Sequence, residues 1–101
     1  MKYNKLVRDK IPEIIKQKGA VPITHMASDK EYQQKLKEKL KEEVNEFLEK
    51  SNEEELADIL EIIYAICDSE NIDKEKLELL RKKKAEERGR FKDKIILDET
   101  K

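Results

Sequence analysis

The stretch Ile59-Leu60-Glu61-Ile62-Ile63-Tyr64-Ala65-Ile66-Cys67 is apolar on nearly every side of a helix. It stands in a chain that is 47% charged and only 37% hydrophobic. Such a helix has to be central or lie at a subunit interface, because none of its faces suits water. The rest of a 101-residue chain offers little to cover it. The composition approaches the region where charge leaves a chain disordered. Here, however, 23 Lys and Arg offset 24 Asp and Glu, and the net charge is -1. The apolar residues also recur at helical spacing. We read an all-α, four-helix, single domain over residues 1–101, with a homodimer or higher homo-oligomer completing a thin core around Ile59, Ile62, Ile63 and Ile66.

The helix boundaries follow from local chemistry. Pro12 suits a first turn, Ile11, Ile14 and Ile15 give one apolar side, and Gly19 stands where a helix stops. Ser28-Asp29-Lys30-Glu31 is a capping box, with Glu31 reaching back to the cap. The stripe Tyr32, Leu36, Leu40, Val44 and Phe47 follows and ends near Lys50. Asn52 and Glu55 allow a second box, so a third helix runs from about Glu53 to Glu70. Asn71-Ile72-Asp73 turn the chain into a fourth, from about Lys74 to Arg90, with Leu77, Leu80 and Phe91 inward and Gly89 as a stop signal. Residues 21–23 and 95–97 read as extended and allow a small two-stranded β element.

Several classes are excluded. No apolar run approaches the roughly 20 residues of a membrane span. Met1-Lys2-Tyr3-Asn4-Lys5 lacks the apolar core of a signal peptide, and the lone Cys67 suits a reducing compartment, so a cytoplasmic location is expected. A pI near 6.0 argues against a dedicated nucleic-acid partner. With only Gly19 and Gly89 present, no glycine-rich phosphate loop can be drawn. His25 has no partner His or Cys to make a zinc site, and Cys67 sits among apolar residues as an inert thiol.

Carboxylates carry the functional signal. Glu43 and Glu46 lie three apart on one helix, beside Glu42, and Glu55 and Asp58 lie three apart on the next. Asp58 stands between Ala57 and Ile59 on the most apolar helix, where an unpaired carboxylate is costly. The midpoint of 46 and 55 is 50.5, and that of 43 and 58 is the same. An antiparallel hairpin about Ser51 therefore sets Glu46 level with Glu55 and Glu43 level with Asp58. Four like charges so close repel. A hard divalent cation with oxygen ligands resolves the conflict, and Mg²⁺ is the usual choice beside phosphates, with Mn²⁺ a substitute. Reflection about Asn71 sets Lys84 level with Asp58, with Arg88 a turn further, so an anionic, polyphosphate ligand is expected beside the metal.

Glu42-Glu43-Val44-Asn45-Glu46 with Glu55-Leu56-Ala57-Asp58 resembles the ExxE…ExxD signature of the all-α nucleotide pyrophosphohydrolases. That superfamily includes MazG, the phosphoribosyl-ATP pyrophosphohydrolases and the dimeric dUTPases. Residues 3–15, opening Tyr3-Asn4-Lys5-Leu6-Val7-Arg8, are similar to the start of its small phosphoribosyl-ATP pyrophosphohydrolase-like, MazG-like members. Glu87-Arg88-Gly89-Arg90-Phe91 is similar to their ERGGF-like ending, with Arg90 in place of the second glycine. The spacer between Glu46 and Glu55 is shorter than in the larger members.

The resemblance implies a Mg²⁺-dependent hydrolase that cleaves a nucleoside triphosphate to the monophosphate and pyrophosphate, a house-cleaning reaction on the nucleotide pool. It implies Glu43, Glu46, Glu55 and Asp58 as metal ligands and Lys84, Arg88, Lys5 and Arg8 as phosphate contacts. Glu42 or Glu46 would orient the attacking water as the catalytic carboxylate. A competing reading is a non-catalytic helical dimerisation module or a nucleotide-binding regulator, which the apolar third helix and the charged faces would serve equally well.

Overall fold

A computed structural model describes residues 2–101. Its four helices are α1 (Ile11–Gln17), α2 (Asp29–Lys50), α3 (Glu53–Ser69) and α4 (Lys74–Arg88). The fold is all-α. The chain forms two compact units: the first extends to Asn71 and the second spans Ile72–Lys101. The division falls at the turn that Asn71-Ile72-Asp73 marks in the sequence. Among the described residues, no helix is long and apolar enough to cross a membrane.

The helix ends form where side chains satisfy backbone groups that the helix leaves open. Ser28 Oγ accepts from the Glu31 amide at 3.2 Å and Asn52 Oδ1 from the Glu55 amide at 3.0 Å. Asp73 Oδ1 accepts from the Glu75 amide at 2.8 Å, which starts α4. The Glu31 carboxylate, read from sequence as the returning arm of a capping box, meets His25 Nε2 at 2.9 Å. α1 closes through a paired motif: the Gly19 amide bonds to the Lys16 carbonyl and the Ala20 amide to that of Ile15, with Gly19 at φ +89°. Gly89, at φ +83°, caps α4 directly after Arg88, as its place in the sequence predicts, so the helix stops two residues short of Arg90.

α2 and α3 pack as an antiparallel hairpin and hold the core of the first unit. Only Ser51 and Asn52 link them. Ser51 adopts the left-handed conformation, φ 51°, and its amide closes on the Phe47 carbonyl at 2.7 Å. Leu36 of α2, 2% exposed, and Ile62 and Cys67 of α3 are the hairpin's buried apolar residues. Tyr32, Leu40 and Phe47, on the predicted α2 stripe, are half-buried. Ile62 thus serves the core of its own unit rather than an outward face. The open side of α3 carries Leu56 and Leu60 instead, with Leu60 51% exposed.

The small β element does not form. No strand occurs among the described residues; Val21–Ile23 and Ile95–Leu97 have no regular structure, and the apolar side chains of both triplets are exposed except for the half-buried Pro22. Each triplet is shorter than a typical strand of about five residues. Pro22 also removes the central donor of the first triplet, so a ladder between them has little to hold it.

With so few buried side chains, each counts. Leu36→Ala should destabilise the hairpin by about 2–5 kcal/mol, the range for a truncated core leucine. Urea titration followed by helical circular dichroism checks this. Leu79→Ala, at an exposed position, should shift the midpoint far less.

A carboxylate cluster on the helical hairpin

The short link between α2 and α3 sets their register, and the register brings three carboxylates together. One oxygen each of Glu43, Glu55 and Asp58 lies within 4.8 Å of the other two. Their separation along the chain is what the hairpin midpoint predicts. Glu43 belongs to the C-terminal third of α2; Glu55 and Asp58 come from successive turns of α3.

Burial is uneven. Glu55 is only 9% exposed and the Glu43 side chain 12%, whereas the Asp58 side chain is 37% exposed. The carboxylate taken out of water is therefore Glu55, not Asp58 as its apolar neighbours in sequence predict. α3 is rotated so that Glu55 turns into the hairpin while Asp58 lies nearer the rim. A helix turns by about 100° per residue, so three positions do not share an identical depth.

Glu46, the fourth expected ligand, is ion-paired with Lys50 at 2.9 Å. It remains close enough to Glu55 for its charge to act there. Glu42 lies at the edge of the cluster, 3.2 Å from Lys5 and 3.7 Å from Lys39; Lys39 also reaches Glu43 at 3.6 Å.

Two cations arrive from a distant part of the chain. The segment preceding α1 brings Arg8 to the hairpin, where its Nη2 donates to Asp58 Oδ1 at 2.7 Å. Lys5 Nζ donates to Glu42 Oε1 at 3.2 Å. Lys35 of α2 holds the segment by donating to the Asn4 carbonyl at 2.8 Å. Spacing alone could not have found the Arg8–Asp58 pair, which joins residues 50 apart. Lys84 and Arg88 lie on α4, in the second unit, and both are exposed.

Electrostatics agrees with a site short of positive charge. The Glu55 carboxyl is pushed above the ordinary glutamate range. Burial is the largest cause; a hydrogen bond with Glu43 and the negative charges of Glu46 and Glu43 add to it, and Lys50 opposes them. The donor set consists of hard carboxylate oxygens with no thiolate or imidazole. That chemistry fits Mg²⁺ or Mn²⁺ better than a soft metal. Cys67 is buried and His25 lies with Glu31, so neither joins the cluster.

Compared with protein-family models, curated proteins and solved structures, the chain matches none.

The raised Glu55 carboxyl has a signed consequence for stability. Its folded form disfavours ionisation, so the folded state holds a proton at pH values where the unfolded chain has lost it. Metal-free protein should therefore lose stability from this group as pH rises from the ordinary glutamate range through the raised value. Glu55→Gln removes the penalty. Its Tm should exceed that of the parent at pH 7, and the gain should shrink as pH falls towards 4. Thermal melts of both proteins in chelator across that range check the sign.

Proposed function

We propose that the protein is a Mg²⁺-dependent nucleoside triphosphate pyrophosphohydrolase, releasing the monophosphate and pyrophosphate. The observation that carries this reading is the convergence of Glu43, Glu55 and Asp58, one oxygen of each within 4.8 Å of the others, on a hairpin whose rim carries Arg8 and Lys5. The α–β position of the cleaved bond rests on the resemblance of the ExxE…ExxD residues to the all-α pyrophosphohydrolases.

In this reading Glu43, Glu55 and Asp58 hold the cation, with Glu46 adjoining. A bound Mg²⁺ supplies neutralising charge for the phosphate oxygens. Lys5 and Arg8 contact the phosphates and stabilise the charge that develops on them in the transition state. Glu42 or Glu46 orients water and takes up its proton. No covalent nucleophile is assigned, because the cluster offers carboxylates and the lone thiol is buried elsewhere on α3. The decisive assay is a panel of ordinary and damaged nucleoside triphosphates with Mg²⁺, scored for pyrophosphate against orthophosphate.

The exposed apolar residues of α3 favour a homo-oligomer as the working form. They also support the alternative of a non-catalytic interaction module. Leu60→Glu puts a charge on that face and should convert the oligomer to a monomer in light scattering while the helical signal persists. A broad panel without turnover, in Mg²⁺ or Mn²⁺, would favour the interaction module.

Asp58→Asn separates the two readings within one protein. It should lower kcat/KM about a hundredfold or more, since it removes a charged ligand rather than an outer partner. It should leave the fold intact, with the Tm of the metal-free protein close to that of the parent, because it removes a repelling charge and the Arg8 ion pair together. Steady-state kinetics alongside thermal melts in chelator checks both parts.

A further inference from the structure

Two of the cations in the segment preceding α1 each find a carboxylate at the hairpin. Arg8 takes Asp58 and Lys5 takes Glu42. Asp58 is a member of the carboxylate cluster, and Glu42 is the immediate neighbour of another, Glu43. The positive charge that the cluster lacks is thus supplied from within the chain, by residues that the proposed reaction uses on phosphate.

The pairing is also weak enough to exchange. The Arg8 side chain is 58% exposed, and Lys5 is nearly as open. Water and salt screen such contacts, and measured exposed pairs contribute little. One guanidinium nitrogen on one carboxylate oxygen is a single contact, not a two-pronged clamp. A divalent ion brings twice the charge in a smaller radius and meets several carboxylates at once. The backbone of the segment is separately held, through Lys35 on the Asn4 carbonyl at 2.8 Å. The Arg8 side chain can therefore let go while the segment remains docked.

We propose that Arg8 is an internal counter-ion that the divalent cation displaces from Asp58, so that metal binding releases its side chain to receive the triphosphate. This rests on the reading of Glu43, Glu55 and Asp58 as a metal site. It makes binding ordered: the cation enters first, and its entry prepares the Arg8 contact to phosphate. In the metal-free protein Arg8 lies against Asp58 and competes with the cation. In the loaded protein the same guanidinium is free to turn to phosphate oxygens.

The test uses Mg²⁺ and Mn²⁺ alone, without nucleotide. Arg8→Ala should bind either ion roughly two- to fivefold more tightly in calorimetry, the change expected when a weak exposed competitor is removed. Arg8→Lys, which keeps the charge, should stay near the parent value. In the unaltered protein the ¹⁵N heteronuclear NOE of the Arg8 side-chain Nε should fall on saturation with Mg²⁺, as the guanidinium leaves Asp58. Unchanged or weaker affinity in Arg8→Ala, or an Nε signal that does not respond to a bound ion, would overturn the counter-ion role and leave the metal site standing. Failure of both the parent and Arg8→Ala to bind either ion would overturn the metal site and the counter-ion role together.

Discussion

Packing α2 against α3 forces acidic side chains to share a seam, and the first unit is organised around that conflict. Leu36, Ile62 and Cys67 gain from being buried together. The same contact draws Glu43 and Glu55 out of water and sets them beside Asp58. Neither effect can be had without the other, because one register fixes both. The answer within the chain is a set of cations at the edges: Lys39 beside Glu43, Lys50 on Glu46 and Arg8 on Asp58. Glu55 is the exception, the most buried of the acids, and its burial pushes its carboxyl above the ordinary glutamate range.

This arrangement gives the exposed ion pairs a role that their strength alone would not. Contacts of this kind add little to stability. Here they lower the repulsion around a site whose shape the hydrophobic core imposes. The core supplies rigidity and the rim supplies charge. The acidic members of the cluster sit on helices, while of their cations Lys39 and Lys50 belong to α2 and Arg8 belongs to the non-helical segment before α1.

Much of this could be read from residue order. The caps at Ser28 and Asn52 were visible because a side-chain oxygen three residues before a free amide is a local matter. The convergence of Glu43, Glu55 and Asp58 was visible because a two-residue link makes hairpin register a matter of counting. What escaped was rotation and long-range contact. The depth order of Glu55 and Asp58 depends on how far α3 is turned towards α2, a small angle that spacing does not encode. Ile62 was read as outward for the same reason, since on a helix apolar all round the pattern does not say which side meets α2. The Arg8–Asp58 pair depends on the path of a non-helical segment, which has no periodicity to follow. The triplets at 21–23 and 95–97 looked like strands because β-branched residues cluster there, but composition without length makes no ladder.

The left-handed Ser51 has a further implication for how such a chain can vary. Substitutions along α2 and α3 change one contact at a time, and charged surface positions can drift freely. A change of length close to the turn is different in kind. One residue added between Glu43 and Ser51 would swing Glu43 by about 100° around the helix axis relative to the link. It would take Leu36 with it, so the core and the carboxylate cluster would fail at once. The hairpin is therefore open to alteration in its letters but closed to alteration in its spacing, and lineages carrying this arrangement should preserve the interval from Glu43 to Asp58 more strictly than the identity of most residues inside it.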